Sequence, residues 1–127
     1  MSTTNFAILY LNSQGAGAST VEVSSSVAAA QAGATRLTNN LCRVKQAVAT
    51  GSFILPQISS GEASREMLLV NDSAGAINLY PFVGEKMNGV ANAALTIASG
   101  ATGIAFPVLA STYVYPSPLD WRAAVVS

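Results

Sequence analysis

The 127-residue chain contains no histidine and one cysteine, Cys42. Without histidine there is no Ser-His-Asp or Cys-His arrangement, no common zinc site and no easy general base near neutral pH. A lone cysteine excludes an internal disulfide and a cysteine-rich metal site. Cys42 therefore reads as a small buried hydrophobe. Charge is scarce as well. Lys, Arg, Asp and Glu make up 9% of the chain, against about a quarter in an average globular domain. Six bases offset six acids, and the bases are scattered. That argues against nucleic acid as a partner, because such binding rests on phosphate neutralisation by Lys and Arg.

Long apolar runs are missing too. The longest charge-free stretch, Met87 to Leu119, is broken by Asn88, Gly89, Asn92, Gly100, Gly103, Pro107, Pro116 and Pro118. No membrane span is expected. Phe6–Leu11 is too short for a signal-peptide apolar region and has no basic segment before it. The expectation is synthesis in the cytoplasm.

What is present is half apolar residues, with Ala, Ser, Thr, Asn and Gly filling most of the rest. A monomer so poor in charge risks association, since charge keeps surfaces apart. The composition points to a surface that is covered by copies of the chain or by a larger partner.

Two regions differ in texture. Residues 1–35 carry one charge, Glu22, and are rich in small polar residues. Within them Phe6–Leu11 and Thr20–Val23 read as short strands, and Ser26–Gln31 as one or two helical turns. Such a segment makes little core of its own and is expected to be an extended N-terminal arm. Residues 36–127 read as β structure. Strands are expected at Leu41–Val48, Ser52–Leu55, Met67–Val70, Ile77–Tyr80, Ala94–Ile97, Ile104–Val108, Thr112–Tyr115 and Trp121–Val126. Gly, Asn, Ser or Pro marks each break, a spacing that suits a sandwich, jelly roll or barrel. Asn88-Gly89 fits a type I′ hairpin turn, since both residues tolerate positive φ. Tyr80-Pro81-Phe82 is expected to close one end of the core.

Chemistry has few candidates. Glu62 and Glu66 form the one close acidic pair, and they read as solvated loop charges rather than a hydrolytic dyad. Asn71-x-Ser73 matches a glycosylation pattern but reads as turn chemistry. Asn71 and Asp72 lack the acidic spacing of a calcium loop. Gly15-Ala16-Gly17 lacks the Gly-Lys-Ser or Gly-Lys-Thr of a phosphate loop. Tyr80, Tyr113, Tyr115 and Trp121 could form a sugar platform, though core or interface packing is the commoner role. No catalytic residue, metal or cofactor is expected.

The stretch LLVNDSAGAINLYPFVGEKMNGVANAALTIASGATGIAFPV, with the terminal DWRAAVVS, resembles small β-rich proteins of tailed-bacteriophage structural modules. The shared elements are Val70-Asn71-Asp72, Ile77–Pro81, Gly84–Gly89, Leu95–Ile97, Ala98-Ser99-Gly100 and Trp121-Arg122. The similarity spans residues 34–127. It implies a capsid decoration or cement protein that binds the major capsid protein as a trimer. A tail, baseplate or fibre component with a glycan or receptor site is the alternative. The fold expected is an all-β, jelly-roll-like sandwich at 36–127 after the arm at 1–35. Exposure suggests Phe6, Ile8, Leu9 and Tyr10 for capsid contacts. Arg43, Lys45, Tyr113 and Tyr115 are the candidates for contacts between subunits.

Overall fold

A computed structural model describes residues 21–25, 30–45, 51–58, 66–108 and 120–127. These residues form eleven strands and no helix. In chain order they are β1 (Val21–Val23), β2 (Thr35–Arg36), β3 (Leu41–Val44), β4 (Ser52–Ile54), β5 (Met67–Asn71) and β6 (Ile77–Tyr80). They continue as β7 (Lys86–Met87), β8 (Val90–Ala91), β9 (Leu95–Ile97), β10 (Thr102–Val108) and β11 (Asp120–Val126).

Two sheets result. One has seven strands in the order β1-β3-β5-β10-β11-β7-β8, and the other has four in the order β2-β4-β6-β9. The first six strands alternate between the sheets, and each of the first four pairs in parallel with the strand two places on. The chain thus winds as three stacked rungs, β1/β2, β3/β4 and β5/β6. Val21, Cys42 and Leu69 stack in register along one wall, and Thr35, Phe53 and Leu79 along the other. Antiparallel β9 and β10 then close the third rung.

The all-β expectation holds at the level of two sheets. The jelly-roll connectivity does not, since a jelly roll is built from antiparallel Greek keys. The physical reason is connection length. Links of 4 to 12 residues carry the chain from β1 to β6 across to the other sheet each time rather than back beside the same strand. The boundary at residue 35 shifts as well. Val21–Val23 lies in the seven-stranded sheet against β3, and Thr35 opens β2. Residues 1–20 lie outside the described residues, as do Ser26–Ala29 of the expected helical turns. Gln31 sits in a bend, and its Nε2 donates to the Pro81 carbonyl at 2.8 Å.

Between the sheets lies one apolar core. Cys42, Val44, Met67, Leu69, Met87 and Trp121 enter from the large sheet, facing Phe53, Ile77, Leu79 and Ile97 from the small one. Each such side chain contributes about 1.5–3 kcal/mol on burial. Pro81 is fully buried and Phe82 lies half-buried under the Arg36 guanidinium, 5.6 Å from its ring centre. Pro107, within β10, lies beyond the last pair with β5, Ala105–Met67, so the ladder on that side does not miss its N–H.

Two asparagines carry the connections. Met87 pairs with Val90, leaving Asn88 and Gly89 as a two-residue loop with φ of 50° and 85°. This is the type I′ turn that the sequence predicts. The Asn88 amide also imitates a peptide unit: Nδ2 donates to the Ala123 carbonyl and Oδ1 accepts from Ala123 N, both at 2.9 Å. Asn71, at the end of β5, is fully buried. Its Nδ2 donates to the carbonyls of Gly75 and Ile97, each at 2.9 Å, and its Oδ1 accepts from Ser73 N at 3.0 Å. Asn71→Ala would leave the buried Ile97 carbonyl and Ser73 N–H without this partner, while the Gly75 carbonyl keeps Ser73 Oγ at 3.0 Å. The expected cost is about 3 kcal/mol, read as a fall of about 1–2 M in the urea midpoint. An unchanged midpoint would contradict the role given to this amide.

Candidate interaction surfaces

Several of the titratable groups are spent on structure. Glu85 is buried, and its Oε1 accepts from Ile58 N at 3.0 Å. Asp120 is buried, accepts from Gly89 N at 3.1 Å and pairs with Arg122 at 3.3 Å. Arg43 pairs with Asp72. Among the described residues no three His, Cys, Asp or Glu side chains gather as a metal site. Glu62 lies outside the described residues, so the acidic pair with Glu66 is not seen. Asn71, the glycosylation candidate, is buried and committed to the hydrogen bonds given above. Trp121 is fully buried in the core and Tyr80 half-buried, so Trp121 offers no sugar platform.

Of the residues expected at interfaces, Arg43 and Lys45 are described. Arg43 points from the outer face of the seven-stranded sheet, with Glu22 as its register neighbour on β1. Lys45 is exposed just past β3. Phe6, Ile8, Leu9, Tyr10, Tyr113 and Tyr115 lie outside the described residues.

A surface that the sequence reading missed lies on β10 and β11. Strand alternation sends Gly103 and Ala105 inward and Thr102, Ile104 and Phe106 outward. This inverts the usual arrangement, because the small residues face the core. The cause is crowding. A Cβ on Gly103 would stand 2.4 Å from Ile97 Cδ1, and Ile97 is fully buried. No room remains inside for the larger residues of β10.

The outer face therefore carries apolar bulk. Leu41, Leu68 and Val70 are buried there, with Ile104 packed against them. Toward β11 the face opens. Ile104, Phe106, Arg122, Ala123, Ala124 and Asn88 line a groove of about 340 Å³. Phe106 is 52% exposed and the Arg122 side chain 68%. Val83 and Val90 are exposed elsewhere. A second hollow of about 370 Å³ lies beside β2, lined by Arg36, Leu37, Thr38 and Pro56. The outward pair Ile104 and Phe106 was visible in the alternation of Thr102–Phe106. Alternation alone does not tell which of the two faces of β10 meets the core.

Cys42 is inert by placement. It is buried, its Sγ lies 3.2 Å from the Asn39 carbonyl, and burial pushes the thiol from 9.0 up to about 11 despite that hydrogen bond.

No protein-family model, no curated protein and no solved structure matches this chain.

The raised thiol fixes a sign. The unfolded chain releases the Cys42 proton near pH 9 while the fold keeps it to about pH 11. Stability from this group is complete below pH 9 and falls by about 2–3 kcal/mol as pH rises through that window. Thermal melts should show a steeper loss between pH 9 and 11 in the native sequence than in Cys42→Ala. Equal slopes would contradict the assignment.

Proposed function

We propose that the chain is a structural protein of a bacteriophage virion, acting as a capsid decoration or cement protein. It works as a multimer, a trimer by its resemblance, seated on the major capsid protein. The observation that carries this reading is the combination of charge poverty with apolar bulk turned outward. With 9% charged residues and Ile104, Phe106, Val83 and Val90 on the surface, contact is a better account of the exterior than solvation. The sequence motifs at Val70–Asp72, Ile77–Pro81 and Gly84–Gly89 supply the virion context.

The mechanism is mass action. A protein that binds the assembled shell and not its separated subunits stabilises the shell by the free energy of binding. The N-terminal residues Phe6, Ile8, Leu9 and Tyr10 are proposed to reach the capsid. Arg43, Lys45, Tyr113 and Tyr115 are proposed to serve contacts between subunits. No chemistry and no cofactor enters this role.

Mass spectrometry and immunogold labelling of purified virions test the proposal. The expected outcome is the chain on heads, in many copies. Labelling confined to tails would transfer it to a tail or fibre, and absence from virions would overturn it. Deleting residues 2–20 should lower head occupancy while the far-ultraviolet β signature persists. Unchanged occupancy would remove the docking role of the N-terminal residues.

A further inference from the structure

We infer that the groove on β10 and β11 is a two-fold contact that receives the same groove of a second copy of this chain. Phe106 stands beside Arg122, and Ile104 beside Ala124, as cross-strand partners. Directly opposed residues share a face, so all four point outward. Let a two-fold axis run along the strands, midway between β10 and β11, above the face. That rotation lays β10 of one copy over β11 of the other. Each residue then meets the cross-strand partner of its own counterpart.

The patch complements itself under this operation. Ile104 lies over Ala124, a large side chain over a small one. Phe106 lies over Arg122, a ring face over a guanidinium. Rings attract cations at their faces, and the contact occurs twice because the interface is isologous. Charge agrees with the pairing. Among the described residues Arg122 pairs with Asp120, which is buried and also holds Gly89 N. The groove thus shows solvent a cation and an aromatic ring, and its best match is a surface bearing the same two.

Area limits the strength. Two rows of side chains fall short of the roughly 800 Å² per partner of a standard stable interface. The contact should be weak, concentration-dependent and amplified wherever copies are already held close. It is separate from any trimer contact, because a three-fold ring joins two different patches head to tail. It also stands apart from the question of where the chain works.

Sedimentation equilibrium across the micromolar range tests the contact with residues that are exposed and leave the fold intact. The native chain should self-associate. Phe106→Arg places cation over cation and should weaken association about ten-fold or more, and Arg122→Phe should lose the cation contact. The double swap Phe106→Arg with Arg122→Phe restores a ring over a guanidinium at both sites and should recover association. Thermal melts that match the native chain would establish that all three variants fold.

Three results would overturn the inference: a native chain that stays monomeric, a Phe106→Arg chain that associates as tightly as the native one, or a double swap no better than its parts. The first would give the groove to a different surface, such as a capsid. The virion experiment reads location alone, so either proposal can fail without the other.

Discussion

The buried carboxamide of Asn71 is the joint on which the two sheets depend. It ends β5, in the middle of the seven-stranded sheet, and reaches the carbonyls of Gly75 and Ile97, which flank β6 and end β9 of the other sheet. Its own backbone holds the approach to β10: Asn71 N donates to Ala101 O at 2.9 Å and Gly100 N donates to Asn71 O at 2.7 Å. One residue therefore fixes where the winding strands stop and the antiparallel ones begin. A hydrophobic side chain could fill the space but could not donate to the Ile97 carbonyl or accept from Ser73 N, and an unpaired buried polar group costs free energy. Only an amide brings two donors and an acceptor together in that volume.

A second constraint follows from that closure. Once β9 is drawn over the third rung, Ile97 occupies the space facing β10. β10 then brings Gly103 and Ala105 to the interior, and its apolar bulk turns outward as Ile104 and Phe106. The exposed apolar groove is thus a consequence of core packing. Removing it by a polar substitution on the outer face would leave the core as it is. Core packing sets the outward direction of Ile104 and Phe106; their apolar character is not demanded by it and suits a surface that is covered.

Local features were legible in the sequence wherever one residue type dictates the backbone. Asn88-Gly89 specified its own turn through positive φ, and Met67–Val70 and Ile77–Tyr80 emerged as strands from their apolar content. Connectivity was not legible. Alternation tells which residues share a face, and it is blind to which strand lies alongside or in what direction. β2, β7 and β8 have two residues each, too few to show any period, and they form through their neighbours. The expected boundary at residue 35 followed from polar composition, yet Val21 and Val23 find an apolar wall that a later segment supplies. As to the candidate surface, Arg43 and Lys45 were chosen for charge. Arg43 is bound to Asp72, while the open surface belongs to Ile104 and Phe106, which were expected on a strand with no face assigned.

Charge poverty acquires a sharper meaning from these contacts. The chain has six acids, and two of them, Glu85 and Asp120, are buried on backbone N–H groups. Asp72 and Asp120 further occupy Arg43 and Arg122. The charge left to repel a neighbouring copy is smaller than the composition suggests, while the apolar area offered to that neighbour is larger. Both changes act in the same direction on association. Each arises from a demand of the fold: a carboxylate to hold a turn, and a glycine to clear an isoleucine. The interior of this protein therefore shapes its exterior, and the surface it presents to partners is the remainder left after Asn71 and Ile97 have set the core.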